Sequence, residues 1–252
     1  MDTLSVVIIT FNEAKHIGRC LDSVKTVADE IIIVDSFSTD ATLDICSKYE
    51  VKFHQNKFID FSSQRNLAMS LASKSYLLFI DADEVLSEAL TEEILALKKE
   101  GFKKEVYTLN RLTNFCGKWI KHGMWYPDKI QRLVKQDIGI WTGDVHENLT
   151  FQVDPIKGRI KGHLLHYSYD SVGQLVDKLE KYTSIQSKQM FKQKKKATWI
   201  KIYINPVWAF ISGYFIKLGF LDGWQGLIIQ YSIAFQTKRK YSKLKKLWSQ
   251  GH

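Results

Sequence analysis

The 252 residues include 45% hydrophobic side chains, which excludes a disordered polyelectrolyte and leaves room for one full domain with an appendage. The net charge of +9 is unevenly spread. Residues 1–177 hold 21 Lys/Arg against 25 Asp/Glu, whereas from Lys178 onward 15 Lys/Arg face only Glu180 and Asp222. Cys20, Cys46 and Cys116 are scattered and odd in number, so they suggest no disulfide framework or paired-cysteine metal knuckle and fit a reducing compartment. Met1-Asp2-Thr3 leads straight into an apolar run without a basic, leader-like segment, so a secretion signal is not expected.

Leu4–Thr10 is β-branched and nearly all apolar, the pattern of a strand buried on both faces. Asn12 can cap a helix that carries Ile17, Leu21 and Val24 on one side. Glu30–Asp35 reads as a second strand. Ser38, Thr39 or Asp40 can then cap a helix through Leu43 and Ile45. Val51–His54 is a short third strand, Phe61–Leu71 a helix and Tyr76–Asp81 a fourth strand. Ser87 starts a helix that ends at Gly101. Such alternation predicts an α/β fold with a mostly parallel, doubly wound sheet.

From Val106 the pattern turns to short strands: Val106–Leu112, Lys129–Val134, Ile138–Trp141, Asn148–Val153 and Ile160–Tyr167, an expected antiparallel or mixed extension of the sheet. Ser171 opens an amphipathic helix with Val172, Leu175, Val176, Leu179 and Tyr182 at helical spacing. The expected organisation is residues 1–104 and 105–170 as two halves of one domain, then 171–252 as a basic, aromatic-rich helical extension.

Doubly wound sheets bind ligands beyond the carboxyl ends of their strands. The polar residues gather there: Thr10-Phe11-Asn12-Glu13, Asp35-Ser36 and Asp81-Ala82-Asp83. Asp81 and Asp83 are two apart at a strand end and, if the extended backbone continues, face one hard cation together with phosphate oxygens. Asp35 can bond a base or ribose edge, or simply start the turn through Ser36. Arg65 can pair with a pyrophosphate, or be a surface arginine. A second acidic centre lies in Trp141–Glu147, where Glu147 and Asp144 are both candidate bases, Glu147 favoured with His146 in support. His163 and His166 are three apart and on a strand would face opposite sides. His166, at the strand end, is the one expected to reach the metal or the diphosphate.

Taken together, Ser5–Glu13, Asp29–Thr42, Arg65-Asn66 and Phe79–Glu84, with its Asp81-Ala82-Asp83 motif, resemble family 2 glycosyltransferases of the GT-A fold. Arg132-Leu-Val, Gly143-Asp-Val-His-Glu147, His166-Tyr-Ser168 and Gly219–Gly223 are similar to a narrower group, the lipopolysaccharide-core β-glucosyltransferase-like members. The resemblance implies an inverting hexosyl transfer from a nucleoside-diphosphate sugar, UDP by default, with Mg²⁺ or Mn²⁺. Thr10, Phe11, Asn12, Glu13, Asp35, Ser36, Arg65, Asp81 and Ala82 are then donor-binding residues, and Asp83, Asp81 and His166 metal ligands. Glu147 is the catalytic base, and Arg132, Asp144 and His146 lie on the acceptor side. Many members carry their base in a Glu-Asp pair that this chain lacks after Asp83; Glu147 takes the role by position.

Ile202–Leu221 is long enough to span a bilayer as one helix, but Asn205, Pro206 and Lys217 interrupt it and Asp222-Gly223 ends it. Leu227–Phe235 is a second apolar stretch, basic clusters Lys192–Lys201 and Lys238–Lys246 flank the pair, and four tryptophans are spread along it. Helices lying in or dipping into an anionic membrane surface through residues 178–252 are expected, or else a packing module over the catalytic domain. Apolar runs between the basic ones argue against nucleic acid. The expected acceptor is a glycolipid or lipid-linked saccharide at the cytoplasmic face of the inner membrane. The competing readings are a nucleotidyltransferase, which would want a glycine-rich phosphate loop after the first strand, and a degenerate, non-catalytic saccharide-binding homologue. The sequence carries no signal for an oligomeric state.

Overall fold

The computed structural model describes residues 2–143 and 148–250, which divide into two compact units. Unit 1 comprises residues 1–111 and 128–166; unit 2 comprises 112–127 and 167–252. The second unit therefore draws on a segment well upstream of residue 171.

In chain order the first unit builds β1 (Leu4–Thr10), α1 (Ile17–Val24), β2 (Glu30–Asp35), α2 (Thr42–Cys46), β3 (Lys52–Gln55), α3 (Phe61–Leu71), β4 (Tyr76–Asp81), β5 (Glu84–Leu86) and α4 (Glu88–Glu100). β6 (Val106–Phe115) follows and runs on into the second unit, where β7 (Lys118–Trp119) pairs with its end. The chain returns through β8 (Asp128–Lys135), β9 (Gly139–Thr142), β10 (Asn148–Phe151) and β11 (Lys157–Tyr169). The strand order is β3-β2-β1-β4-β8-β6-β11-β5. β1 is parallel to β2 and β4, and β2 to β3, whereas β4 meets β8 antiparallel. The result is a GT-A-type α/β fold: a mixed sheet, parallel in its first half, flanked by helices.

Strand alternation sorts the core into two layers. Val6, Ile8, Ile33, Leu78 and Ile80 pack with Ile17, Leu21 and Val24 of α1 on one face. Val7, Ile32, Val34, Leu77 and Phe79 pack with Ala68 of α3 and with Trp141 on the other. Because both faces are covered, the strands read as continuous apolar runs. Asp60 caps α3 by accepting the Ser63 N–H at 2.7 Å, and Ser87 caps α4 by accepting that of Leu90 at 3.2 Å. β11 passes close beside α4 at Gly162, where a Cβ would stand 2.4 Å from the Leu90 backbone, so a side chain there would push β11 off its line.

Two local expectations change. Asn12 does not cap α1: the Glu13 carbonyl accepts the N–H groups of His16 and Ile17, both at 2.9 Å, and the helix begins at Ile17, five residues after Asn12. Asn12 instead has φ +54° and its side-chain oxygen accepts the Thr39 N–H at 2.8 Å, tying the loop after β1 to the loop after β2. Among the described residues the segments at 138–141 and 148–153 do not extend the main sheet; β9 and β10 pair with each other as an antiparallel ribbon.

The second unit holds α5 (Val172–Lys192), capped by Ser171, then α6 (Asn205–Ile211) between π-helical turns Ile200–Ile204 and Ser212–Ile216, a short 3₁₀ turn Gly219–Asp222, and α7 (Gly223–Ser249). Phe115, Ile120, Leu175 and Ile229 form its core. Glu180 of α5 accepts from Arg239 at 3.2 Å and Lys243 at 2.6 Å of α7. Among the described residues no single helix is long and apolar enough to cross a membrane; Ile200–Ile216 and Gly219–Ser249 together reach that length but are bent by 73°.

Candidate active site

The carboxyl ends of β1, β2 and β4 lie side by side, Thr10 level with Asp35 and Ile9 level with Asp81. This brings the three polar clusters together, as the alternation of strands and helices demanded. The Ser36 N–H donates to the Thr10 carbonyl at 2.9 Å, and the Asn12 N–H donates to Ser38 Oγ at 2.8 Å. Asp35 is fully buried and spent internally: it accepts the Ser38 N–H at 2.8 Å, the Ser38 hydroxyl, and Gln55 Nε2 at 3.3 Å. The turn through Ser36, one of its two expected uses, is thus observed. Ser36 Oγ accepts Gln64 Nε2 of α3 at 2.7 Å. Glu13 holds the other side of the loop, its N–H donating to Thr42 Oγ1 at 2.9 Å. The ordered turns leave the Phe11 and Phe37 rings about half exposed, with Phe37 held at φ +61°. A bulky side chain in that region costs of order 1–3 kcal/mol and persists only where its surroundings enforce it.

Asp81 ends β4, and both of its oxygens are occupied. Arg65 Nη2, from α3, donates to Oδ1 at 2.6 Å, and Arg132 Nη2, from β8, donates to Oδ2 at 2.8 Å. The guanidiniums are almost wholly buried, while the Asp81 side chain is 26% exposed. Burial alone would raise the Asp81 pKa, but Arg132, Arg65, Arg111 and His166 outweigh it and hold the carboxyl well below the ordinary range. Behind Asp81, fully buried Glu84 accepts the Asp81 N–H at 2.9 Å and Arg111 Nη1 at 3.3 Å, while Arg111 also donates to Asp128 at 2.8 Å. Three arginines and three carboxylates thus form one charge-balanced network beneath the strand ends.

Asp83 looks elsewhere. It lies in the turn between β4 and β5, beyond the reach of strand alternation, and its ion pair is with His166, whose charge also acts on Asp81. Its Oδ2 stands 3.3 Å from Nε2 of His166, which β11 places level with Glu84. Both side chains are partly open to solvent, and His166 Nδ1 is buried with no hydrogen-bond partner among the described residues. Ala82 is buried in the core between the two acids. Among the described residues no group of three or more His, Cys, Asp and Glu side chains is placed to hold a metal.

The same α3 that supplies Arg65 also grips the ribbon. Asn66 accepts the Trp141 N–H and donates to the Trp141 carbonyl, both at 2.9 Å, and Ser62 Oγ donates to the Gly143 carbonyl at 2.5 Å. Arg65 lies over the Trp141 ring, 5.0 Å from its centroid. One helix therefore sets both the clamp on Asp81 and the backbone that enters residues 144–147. Asp144, His146 and Glu147 themselves lie outside the described residues.

The sequence profile described as glycosyl transferase family 2 matches residues 5–153, more than half of the chain and all of the strand-end cluster. The chain belongs to glycosyltransferase family 2. An uncharacterised glycosyltransferase of Rickettsia prowazekii is 31% identical over 98% of this chain and 88% of its own length. The lipopolysaccharide core biosynthesis glycosyltransferase LpsC of Rhizobium meliloti is 26% identical over 95% of this chain and 93% of its own. Among solved structures, the crystal structure of S. aureus TarS 1–349 covers 99% of this chain and 92% of its own, with TM-score 0.50 and 15% identity, a likeness of fold. Family membership sets aside the nucleotidyltransferase alternative.

Within this glycosyltransferase, sequence reasoning found the strand-end residues and missed their supports. Arg111 and Asp128 carry no motif, and only the pairing of β6 with β8 brings them together at Glu84, which closes the motif-bearing stretch Phe79–Glu84. Phe37 went unnoticed because a positive φ leaves no mark at a bulky residue. Arg132, expected on the acceptor side, is found on Asp81, and Arg65, expected on a pyrophosphate, is found there too.

Proposed function

We propose that this glycosyltransferase moves a hexose, with inversion, from a nucleoside-diphosphate sugar of the UDP-glucose type to a saccharide carried on a lipid, of the lipopolysaccharide-core kind. The observation that carries the reading is the arrangement around Asp81: a carboxylate pinned by two buried arginines, beside an Asp83–His166 pair left open, at the mouth of three parallel strands. The acceptor class rests on the likeness to LpsC over nearly the whole of both chains.

The residues fit a divalent cation in part. Asp83 and His166 offer a carboxylate oxygen and an imidazole nitrogen, and such a pair leaves other positions to phosphate oxygens and water, as Mg²⁺ and Mn²⁺ sites do. Asp81 keeps a second lone pair on each oxygen beyond its arginine bonds and is 26% exposed, so it can join Asp83 and His166 at a cation while also fixing Arg65 and Arg132 beneath the site. A bound cation would offset the charge that builds on the departing diphosphate. The protein's own work is positional. The tied loops after β1 and β2, with exposed Phe11 and Phe37, flank the nucleotide end, and Asn66 and Ser62 of α3 set the backbone before the loop that bears the base.

In the reaction an acceptor hydroxyl oxygen forms a bond to the anomeric carbon as the bond to the diphosphate oxygen breaks, its electron pair leaving with the diphosphate. The hydroxyl proton passes to the base, for which we assign Glu147 from the sequence. The transition state has the oxocarbenium character of glycoside hydrolysis.

Incubation of the protein with a panel of nucleotide sugars and Mg²⁺ or Mn²⁺ should release nucleoside diphosphate, faster when a lipid-linked core saccharide is added. Release that is indifferent to chelation would remove the cation from the reading. A preference for a soluble, lipid-free acceptor would remove the glycolipid.

A further inference from the structure

Unit 2 leaves an unusual amount of apolar surface uncovered. On α7 the exposed positions Trp224, Leu227, Tyr231 and Phe235 follow a spacing of three, four and four, one straight stripe along the helix. On the preceding arm Tyr203, Val207, Ile211 and Phe215 form a matching row at intervals of four. The bend between the arms exposes Leu218, Phe220 and Leu221 as well. With each large side chain about half open, the patch is on the order of 1,000 Å², above the few hundred Å² usual for a soluble monomer. These side chains are not misplaced core residues. The unit has its own core, and the opposite side of α7 is closed by Ile229 and Gln230, both fully buried.

Charge is arranged around this surface with the same order. The α7 stripe continues through Lys238 and Lys245, both exposed, so a single helix face changes from aromatic to cationic along its length. Asp222, the one acid after Glu180, sits at the bend and is turned inward. Its carboxylate accepts the backbone N–H groups of Lys121 and His122 at 3.1 and 2.8 Å and lies 3.1 Å from His122 Nδ1. The Gly123 N–H donates to the Lys217 carbonyl at 2.8 Å, which fixes the backbone just before the bend. The bend is therefore a built corner whose only negative charge is hidden.

We propose that the bent pair is a membrane wedge that seats its corner and apolar stripes in one leaflet of an anionic bilayer, with the lysines of distal α7 among the headgroups. From Trp224 to Phe235 the apolar run is roughly 16 Å at about 1.5 Å per residue, half of a hydrocarbon core of about 30 Å. With the 73° bend, this length suits entry into one leaflet. Trp199, Trp208 and Trp224 are all more than half exposed, and tryptophan favours the boundary between headgroups and acyl chains. A second copy of the chain is the poorer occupant, because pairing of like faces brings the Lys238 and Lys245 rows together, whereas anionic lipid neutralises them. The proposal needs neither the donor nor the acceptor assigned above.

The test is flotation of the full-length protein with vesicles of phosphatidylcholine alone or with about a third phosphatidylglycerol. Binding to the anionic vesicles should exceed binding to the neutral ones, and Lys238→Gln with Lys245→Gln should weaken it by about 5-fold per lysine at low salt. Leu221→Glu with Trp224→Glu should abolish retention at any salt while the melting temperature stays within a few degrees, since both side chains are exposed. Tryptophan emission should shift to the blue on binding and be quenched by brominated acyl chains. The idea is overturned by equal binding to both vesicle types, or by vesicle binding that survives Leu221→Glu with Trp224→Glu. Light scattering that shows a lipid-free dimer, dissociated by the same pair of substitutions and unable to bind vesicles, would assign the patch to a second copy instead.

Discussion

Asp81 and Asp83 look equivalent in a motif, and the structure gives them different contacts, so their alanine variants should fail differently. Asp81→Ala leaves two guanidiniums, 3% and 7% exposed, without the carboxylate that holds them at 2.6 and 2.8 Å. Breaking a buried pair by removing one partner costs about 3–5 kcal/mol. Two contacts soften the loss: Arg132 keeps Glu84 at 3.8 Å, and Arg65 keeps the face of Trp141. The lower end, about 3 kcal/mol, is therefore expected. For a protein of this size that is about 6–12 °C in melting temperature. Asp83→Ala removes a side chain 21% exposed that pairs with His166 at 3.3 Å, a contact worth under about 1 kcal/mol. Melting curves by circular dichroism, with nucleoside diphosphate release measured below both midpoints, separate the two. Asp83→Ala should melt close to the parent and lose turnover; Asp81→Ala should melt early. Adding Arg132→Met to Asp81→Ala should recover part of the stability, because it removes a stranded charge. A parental melting temperature for Asp81→Ala, or a further drop in the double variant, would refute the clamp.

At the opposite end of the sheet, Glu30 accepts from Ser5, from Lys52, and from the Ser73 N–H at 2.9 Å and hydroxyl at 3.0 Å. Burial would raise its pKa, yet Lys52, Ser5 and Ser73 together bring it from an ordinary 4.5 down to about 2. The folded value is depressed, so this stabilisation, up to about 3 kcal/mol, is present above pH 4.5 and lost as the pH falls toward 2. Glu30→Gln should lower the melting temperature at pH 7 by an amount that shrinks by pH 3; a pH-independent difference would contradict the assignment. Glu147→Gln should retain donor binding by calorimetry while transfer falls at least 100-fold, and undiminished transfer would move the base elsewhere. Asn66→Ala strands the Trp141 N–H and carbonyl and should cost about 1–2 kcal/mol, read as an earlier denaturant midpoint. An unchanged midpoint would show that those two bonds do not hold the ribbon.

Much of the fold was legible because burial writes directly into sequence. β1, β2 and β4 are buried on both faces, so their apolar runs stand out, and the polar residues that interrupt them mark the strand ends where α/β sheets bind ligands. α3 and α4 announced themselves through the residues that begin them. β5 was missed: its three residues pair with β11 only because Gly162 lets that strand pass close to α4, and no local pattern encodes such an approach. The ribbon of β9 and β10 read as sheet because each strand has strand-like residues, and pairing partners are a matter of geometry.

The division of labour within the site follows the same line. Family membership, the strand-end cluster, the approximate place of the bend and the charge asymmetry at Lys178 were all present in the order of residues, because each depends on neighbours along the chain. The partners of Asp81 were not. Arg65 is 16 positions away and Arg132 is 51 away on the other side, and nothing in either stretch announces that both reach one carboxylate. The strand rule that put Asp81 and Asp83 on one face ended one residue too early, at the turn that sends Asp83 to His166. The inward Asp222 and the outward aromatic stripe likewise depend on how α7 rotates against its neighbours. Chain-local physics determined which residues gather at the strand ends; long-range packing decided which of them hold each other and which are left open to a ligand.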